Sequence, residues 1–486
     1  MERRNFLVNI LLWMLTFFFG FTIKKEGDIL NLSKTDARMV LDRDGKNISD
    51  KIGNLNEQLA DTTAKVTYMT ALITPSTSIA DRQNILNSGY HVTFASGDYS
   101  IDQVMNITKS DTKVTFIPGV TFTVNTAIDY IFRLNANLKN IEIYGSNTTI
   151  NLNNKANGLL TSAKNTIKQD NYIIKGFKVM NNDVPYKFTA VLYLKNVKNF
   201  VIESFSVDNY SRMVTQSTSA YCIGLFDCED GYMSKISLGK SYIGILTHNV
   251  YNINLSKFSI SNMLDNGVYL LENINDASAG VSLTNGLIEQ CEEGIVNYLT
   301  DLTIDDVTIK RNTNKGVSLR KGLNVTISKC TFRDNNTDIG DDNSYNIYDN
   351  KIINNNFYNS KINSINLSRV SRSKIKDNLF KSDVITGTMV RIVDESSQGN
   401  ENEVSYNRFD STNQSITLLG ITGYYSGVSD NLIAYNRFIN AGVGIKLLRS
   451  GGTGLNATKL SKNMYSNVGR KKLIGAGITL VDEDFA

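Results

Sequence analysis

Carboxylates in the middle of the chain are the residues best suited to chemistry. Hydrolysis of a glycosidic bond needs two carboxyl groups, about 5 Å apart when the sugar configuration is retained and about 6.5–9.5 Å apart when it is inverted. Counted as recurring glycines, Gly224 and Gly267 precede Glu229 and Glu272 by five residues, and His248 and Asn249 lie between the two glutamates in the sequence. If the repeats stack, the spacing predicts that Glu229, Glu272 and His248 are catalytic and that Asn249 binds the substrate.

A second group of carboxylates, Asp265, Glu292 and Glu293, lies one or two residues before a recurring glycine. In a stack of parallel strands these residues would lie about one rung, roughly 4.8 Å, apart. They are the alternative catalytic residues. A solvated turn position is the competing interpretation for both groups, and a slip of one residue in register would turn each side chain to the opposite face.

Three residues beyond Glu293 could bind a carbohydrate. Arg320 and Lys321 carry positive charge that would attract an anionic sugar. Tyr298 offers a ring on which a sugar could stack, although a structural role fits that position equally well.

Metal chemistry would depend on carboxylates. The two histidines, His91 and His248, are too far apart in sequence to predict a histidine metal site, and the four cysteines form no CxxC pair. Asp338, Asp341 and Asp342 form an acidic loop that could bind calcium, or an ordinary Asx-rich turn. No other cofactor is expected.

Charge and composition limit the class of protein. The 51 basic and 47 acidic residues give a net charge of +4 and are mixed along the chain, so no basic stripe predicts nucleic-acid binding. Only 3 Pro accompany 34 Gly. With abundant Asn, Ser, Thr, Ile and Val, this composition favours many short strands joined by tight turns.

Internal repeats decide the fold class. In one series, a glycine followed by Ile or Val recurs at intervals of 23, 27 and 22 residues. In a second series, an Asn two residues before an aromatic residue recurs at intervals of 29, 29 and 27. Such periods predict coils of about 22 residues, each with three short strands and three turns. We expect Asn and Gly to recur because tight turns need left-handed backbone. The repeats are Gly244, Gly267, Gly294 and Gly316, and Asn378, Asn407, Asn436 and Asn463.

The start of the repetitive region carries a family resemblance. Residues Ala80–Gly89 read as a short helix, and His91–Ile101 follow with the pattern V-x-F-x-x-G-x-Y-x-I. This passage resembles the opening of pectate-lyase-like right-handed β-helix proteins, which include phage tailspikes and pre-neck appendage proteins. The resemblance implies a helix that caps the core of a right-handed parallel β-helix. It implies no single activity, because one fold hosts many functions.

The N-terminal region is different in character. Phe6–Ile23 form an apolar run flanked by Arg3-Arg4 and Lys24-Lys25, long enough to cross a bilayer, and the paired arginines resemble a twin-arginine export signal. The run predicts a hydrophobic helix that is either cleaved or retained as a membrane anchor.

A heptad-like seam follows this apolar run and ends before Pro75. It predicts a short coiled-coil stalk, and hence a homotrimer, with one amphipathic helix packed on its own body as the alternative. The seam residues are Ile48, Ile52, Leu55, Leu59, Val66, Met69 and Ile73.

The sequence thus predicts an all-β protein in four parts. These are a signal-like or anchor segment (1–25), a linker and stalk (26–75), a capping helix with the first coils (76–139) and a right-handed parallel β-helix body (140–486). Such a scaffold suits a surface- or virion-associated protein that binds and degrades a cell-envelope polysaccharide as a hydrolase or lyase. A non-catalytic adhesin or phage tail component is the alternative. Either protein would lie outside the cytoplasm, anchored or secreted, or on a virion tail.

Overall fold

The computed structural model describes most of the repetitive region and little of the chain before it. The described residues are 22–26, 29–33, 70–88, 91–162, 168–182, 189–210, 220–273, 279–342, 346–394, 401–423, 430–449 and 458–484. The chain divides into two units, Met1–Tyr68 and Met69–Ala486. In the first unit, β1 (Thr22–Glu26) pairs antiparallel with β2 (Ile29–Ser33).

The second unit begins with β3 (Thr70–Ile73) and the helix α1 (Ile79–Ser88), and strands follow to the C-terminus. The strands up to the middle of the body are β4 (His91–Phe94), β5 (Gly97–Ile101), β6 (Met105–Ile107), β7 (Lys113–Phe116), β8 (Val120–Val124), β9 (Ile128–Leu134), β10 (Lys139–Asn151), β11 (Ala156–Ser162), β12 (Gln169–Asn182), β13 (Thr189–Lys195), β14 (Val197–Tyr210), β15 (Ala220–Phe226), β16 (Glu229–Gly239), β17 (Ile243–His248), β18 (Tyr251–Ser261), β19 (Asn266–Leu270), β20 (Val281–Glu289), β21 (Glu293–Asn297), β22 (Leu302–Lys310) and β23 (Lys315–Leu319). The remaining strands are β24 (Gly322–Leu323), β25 (Thr326–Ser328), β26 (Thr331–Arg333), β27 (Thr337–Gly340), β28 (Ile347–Tyr348), β29 (Lys351–Ile353), β30 (Asn356–Tyr358), β31 (Asn363–Ser368), β32 (Val370–Ser371), β33 (Lys374–Lys376), β34 (Leu379–Lys381), β35 (Val390–Asp394), β36 (Glu403–Ser405), β37 (Arg408–Asp410), β38 (Thr417–Gly423), β39 (Leu432–Ala434), β40 (Arg437–Arg449), β41 (Thr458–Ser461), β42 (Met464–Ile474) and β43 (Leu480–Glu483).

These strands wind into a parallel β-helix, which confirms the predicted all-β solenoid. Each coil adds a strand to three parallel sheets, and long strands such as β16 run from the first sheet into the second. The third sheet contains β17, β19, β21, β23, β27, β31, β35 and β38 in succession. Its inward side chains stack in register, as Ile245, Val268, Ile295, Val317 and Ile339 do, and fill a continuous apolar core.

The predicted capping helix is present as α1, which packs on the first coils. Leu86 is fully buried in the core. The Arg82 guanidinium donates to the carbonyls of Pro75, Thr77 and Ser100. The helix is thereby fixed to the chain on both sides of it.

The predicted apolar helix and stalk lie largely outside the described residues. Of the apolar run, only Thr22 and Ile23 are described, and both belong to β1. The prediction was wrong for Ile73, the last residue of the heptad seam. It lies in the strand β3, pairs in parallel with Phe94 and is fully buried. A strand side chain at this position fills the core of the first coil. Among the described residues, no helix is both long and apolar enough to span a membrane.

Glycine recurs in the third sheet for a reason other than the predicted one. Gly244, Gly267, Gly294 and Gly316 stack in register, but none of them has a positive φ. A Cβ built on Gly267 would lie 2.6 Å from the carbonyl oxygen of Gly294, and one on Gly244 would lie 2.4 Å from that of Gly267. The coils approach so closely there that only glycine fits.

The recurring asparagines also have a different role from the predicted one. Asn378, Asn407, Asn436 and Asn463 are buried, and the left-handed residue is the one before each of them, for example Tyr406. These four asparagines form a ladder, in which each side-chain oxygen accepts a hydrogen bond from the main chain of the preceding coil. The Asn378 main-chain N–H, for example, donates to Asn407 Oδ1 at 3.0 Å. A stack of rings lies beside this ladder, formed by Phe332, Phe357, Phe380, Phe409, Phe438 and Tyr465.

A candidate carboxylate site on the third sheet

The turns that enter the third sheet bring the second group of predicted carboxylates together. The residue immediately before each of β17, β19 and β21 also lies two residues before a stacked glycine. These three residues are Tyr242, Asp265 and Glu292. The Asp265 N–H donates to the Tyr242 carbonyl at 3.0 Å, and the Glu292 N–H donates to the Asp265 carbonyl at 2.9 Å. Successive coils therefore place Tyr242, Asp265 and Glu292 side by side, one rung apart.

Asp265 is the perturbed acid of this group. Burial, followed by the negative charge of Glu292, raises the pKa of Asp265 to about 6, and a hydrogen bond with Tyr242 opposes part of that rise. Glu292, in contrast, is exposed to solvent. At neutral pH a fraction of Asp265 keeps its proton beside an acidic neighbour on the next coil, which suits a proton donor.

Glu293 is held by positive charge. Its side chain is 6% exposed and lies 3.0 Å from an Arg320 guanidinium nitrogen and 3.6 Å from Lys315 Nζ. The Asn314 amide donates to it at 3.1 Å. These contacts compensate the Glu293 charge. They also tie its carboxylate to Arg320, Lys315 and Asn314.

One buried acceptor in the same place is unused. Asn266 precedes Gly267 and pairs in register with Glu293. Its side-chain oxygen is buried and has no hydrogen-bond partner within the described part of the chain. An acceptor in this state destabilises the protein unless a donor reaches it, and a sugar hydroxyl is such a donor.

Aromatic rings cover the outer face of the third sheet beside the acids. Tyr193 stacks on Phe226 with ring centroids 5.1 Å apart, and Phe226 lies 6.2 Å from the His248 ring. Tyr269 and Tyr298 are 6.1 Å apart. Of these rings, sequence reasoning selected only His248 and Tyr298. Alternation with core residues is the signal that marks the tyrosines among the others as outward, because Tyr193 lies between Leu192 and Leu194 and Tyr269 lies between Val268 and Leu270.

The first predicted pair, Glu229 and Glu272, is not on one ladder. Gly224 pairs with Leu246 and not with Gly244, so counting five residues from Gly224 ends two places too far along. Glu229 instead begins β16 in the first sheet, where it lies beside Lys198 and Lys168.

Glu272 lies after β19 and is exposed, with its carboxylate 2.6 Å from Lys321 Nζ. Asn249 does not bridge the two glutamates, because its amide donates to Asp227 at 2.7 Å and its oxygen accepts from the Tyr251 hydroxyl at 2.9 Å. His248 is exposed beside Phe226. Glu229 and Glu272 therefore each pair with lysine and do not form the predicted acid and base pair on one ladder.

The two predicted anion-binding cations are both in ion pairs. Arg320 lies 3.0 Å from Glu293 and 2.7 Å from Asp342, and Lys321 pairs with Glu272. The positive charges of Arg320 and Lys321 are therefore paired with carboxylates of the protein itself.

The predicted calcium loop does not converge on one point. Asp338 is fully buried and bonds Asn335 and Ser360. Asp341 accepts from the Ser368 N–H, and Asp342 pairs with Arg320. The three carboxylates therefore reach different partners and do not share one position. No group of three His, Cys, Asp or Glu side chains suited to a metal occurs within the described ranges.

The register and the core define the class: the chain is a right-handed parallel β-helix protein. Its residues 243–398 match the family model described as the right-handed beta helix region, which confirms the resemblance read from the sequence. Comparison with the sequences of curated proteins finds no match.

Several solved structures are similar to the chain. The surface adhesin PfbA of Streptococcus pneumoniae is 13% identical, with 82% of this chain and 90% of that chain covered and a TM-score of 0.41. The tailspike protein of E. coli bacteriophage HK620, solved with a pentasaccharide, is 10% identical (75% and 72% covered, TM-score 0.42). The family 28 exopolygalacturonase of Yersinia enterocolitica is also 10% identical (85% and 78% covered, TM-score 0.39). None of these likenesses identifies an activity.

Proposed function

We propose that the protein binds a cell-envelope polysaccharide along the outer face of the third sheet and hydrolyses it there. Asp265 is the general acid, and Glu292 is the second carboxylate. The observation that carries this proposal is the raised pKa of Asp265 directly beside Glu292. Glycoside hydrolysis requires a carboxyl group that keeps its proton and acts as the general acid, with a second carboxylate near it.

The spacing of the two acids favours one stereochemical course. Adjacent rungs are about 4.8 Å apart, which is close to the roughly 5–5.5 Å between the carboxyl groups of retaining enzymes and too short for inversion. Glu292 would then be the nucleophile. Asn266 Oδ1 would accept from a sugar hydroxyl, and Tyr269 and Tyr298 would border the sugar rings.

Hydrolysis is favoured over a lyase reaction by the state of the cations. Elimination needs a base beside positive charge that stabilises the uronate. Lys315 and Arg320 stand nearest the acids, but both are paired with Glu293. Their charge is therefore already compensated.

Release of reducing ends from isolated envelope polysaccharides tests the proposal. The full chain would be compared with its Asp265→Asn and Glu292→Gln variants, and each variant should lose at least about 100-fold in rate. Glu229→Gln and Glu272→Gln are matched controls that remove one carboxylate outside the cluster. If either control abolishes cleavage while Asp265→Asn does not, the first predicted pair is catalytic instead.

A binding protein without catalysis is the second candidate. The aromatic rings continue from Tyr269 to Phe226 and Tyr193, away from the acids, and rings on a long face are sufficient for binding alone. Retained polysaccharide binding with no reducing ends from the wild-type chain would establish this alternative.

We further propose that the protein is presented outside the cytoplasm as an anchored or secreted homotrimer. The apolar run Phe6–Ile23 and the heptad seam support this, although both lie largely outside the described residues. Fractionation of cells that express the full chain, followed by mass determination in detergent, tests it. Uncleaved, monomeric protein in the cytoplasmic fraction would contradict it.

A further inference from the structure

A second site-like feature lies farther along the same outer face. It is a pocket of about 380 Å³ formed where β35, β38 and β40 run side by side. Its lining residues are Thr388, Arg391, Gly420, Thr422, Lys446, Leu448 and Arg449.

The pocket is cationic in a way that the region around Asp265 is not. Three of its lining residues are Arg or Lys, two carry hydroxyl groups, and none is acidic. Arg391 donates from one guanidinium nitrogen to Asn366 at 2.9 Å, which orients the group and leaves further N–H donors, because a guanidinium has five. Around Asp265, in contrast, Arg320 and Lys321 pair with acids of the chain.

Gly420 opens the space between the cations. It stands in register between Arg391 on one coil and Lys446 on the next. Because Gly420 has no side chain, the outer face is recessed there and both cations border the recess. A Cβ on Gly420 would meet Thr388 Cγ2 at 3.0 Å, so a larger residue would crowd the pocket wall.

We propose that this pocket binds an anionic substituent of the polysaccharide, a carboxylate, sulfate or phosphate, and that the ligand is therefore an acidic polysaccharide. Only the assignment of the anion to a polysaccharide rests on the function proposed above. The pocket lies six rungs from the Asp265 coil, or roughly 29 Å at about 4.8 Å per rung. A single extended chain would span both sites.

Binding of defined polymers to the full chain tests the proposal. The probes are polygalacturonate for carboxylate, dextran sulfate for sulfate, a teichoic-acid-type poly(glycerol phosphate) for phosphate, and neutral dextran. At least one anionic polymer should bind, and Lys446→Gln should weaken that binding by about tenfold because a charge-assisted hydrogen bond is lost. Lys446→Arg should retain it. Arg437→Gln, which removes the same charge from an exposed position in the second sheet, should bind as the wild type does.

Each outcome decides between the two proposals. If no anionic polymer binds, or if Lys446→Gln and Arg437→Gln bind equally well, the pocket has no such role, even if a neutral glycan is cleaved. If a polyanion binds through Lys446 but no envelope polysaccharide is cleaved, the pocket proposal stands and hydrolysis fails. Thermal melting of Lys446→Gln and Lys446→Arg excludes loss of the fold as the cause.

Discussion

The main-chain N–H of Glu292 donates to the carbonyl of Asp265 at 2.9 Å, so the hydrogen bonding of the β-helix itself holds the two acids on adjacent coils. The charge of Glu292 therefore couples electrostatically to Asp265 in a fixed geometry.

Removal of the Glu292 charge should lower the pKa of Asp265. Glu292 is the largest electrostatic cause of the raised pKa after burial, and Glu292→Gln removes that charge at nearly constant volume. Carbon-13 NMR of labelled aspartate carboxyls measures the effect, with Asp265→Asn to assign the signal. Glu272→Gln, whose charge does not contribute to the shift, should leave the Asp265 pKa unchanged, and an equal effect of both variants would refute the coupling.

The rate of hydrolysis should depend on pH with a fixed sign. Asp265 acts as an acid only in its protonated form, so kcat/KM should fall as pH rises through about 6. The pH dependence of kcat/KM is measured as reducing-end release between pH 4 and pH 9. The ionic strength is held constant across the series. A rate that increases through this range would assign the proton donor to another group.

Much of the fold could be predicted from the sequence because the repeats mark fixed contacts. Gly244, Gly267, Gly294 and Gly316 were expected to stack, and they do, since close approach of the coils excludes any larger residue. Gly224 was placed in the same series and is not part of it. Its strand is aligned by Tyr221 on Ile243, and an interval in sequence does not show such a pairing.

Gly267→Ala should be strongly destabilising. The new Cβ would lie 2.6 Å from the Gly294 carbonyl oxygen and 2.8 Å from Ile288 Cγ2, so adjacent coils would have to separate. We expect a loss of about 3 kcal/mol or more in the free energy of unfolding, measured by denaturant titration. At Gly239, where a Cβ would have its nearest neighbour at 3.6 Å, Ala should change stability little. Equal effects at the two positions would contradict the close-approach explanation.

Asn407→Ala should destabilise the C-terminal coils. Asn407 accepts from the Asn378 N–H at 3.0 Å and donates to the Ile375 carbonyl at 2.8 Å, and Ala leaves both buried groups without a partner. The expected cost is about 2–4 kcal/mol, measured by chemical denaturation. Asn84→Ala, at an exposed position of α1, is the control and should be nearly neutral. A neutral Asn407→Ala would show that the ladder does not stabilise the coils.

The candidate site was predictable only where its residues lie next to a fixed contact. Asp265 and Glu292 each lie two residues before a stacked glycine, so their register follows from the glycines. Glu229 and Glu272 lie five residues after a glycine, across a turn of variable length, and the register was lost there. The partnership of Arg320 with Glu293 joins residues on adjacent coils whose side chains must point outward together. The sequence does not show that orientation.

Asp338 should make the stability of the protein fall as pH rises. It is fully buried, and desolvation raises its pKa to about 7. The folded state therefore holds this proton in the range where the unfolded state, with an ordinary pKa of about 3.9, has released it. Stability is lost progressively between about pH 4 and pH 7, by about 4 kcal/mol in all.

Asp338→Asn should remove this dependence. Its side-chain oxygen can still accept from Asn335, as Asp338 does at 2.8 Å, and its amide can donate to Ser360. The variant should exceed the wild type in stability by a margin that grows with pH, as measured by urea unfolding at pH 4.5, 6 and 8. Asp383 provides a control of opposite sign, because hydrogen bonds from Thr412 lower its pKa. Its contribution is present above the unfolded pKa and is lost as pH falls through the folded one. Asp383→Asn should therefore be less stable than the wild type at pH 8, with a smaller difference at low pH. If the stability difference between Asp338→Asn and the wild type does not depend on pH, Asp338 is not the group responsible.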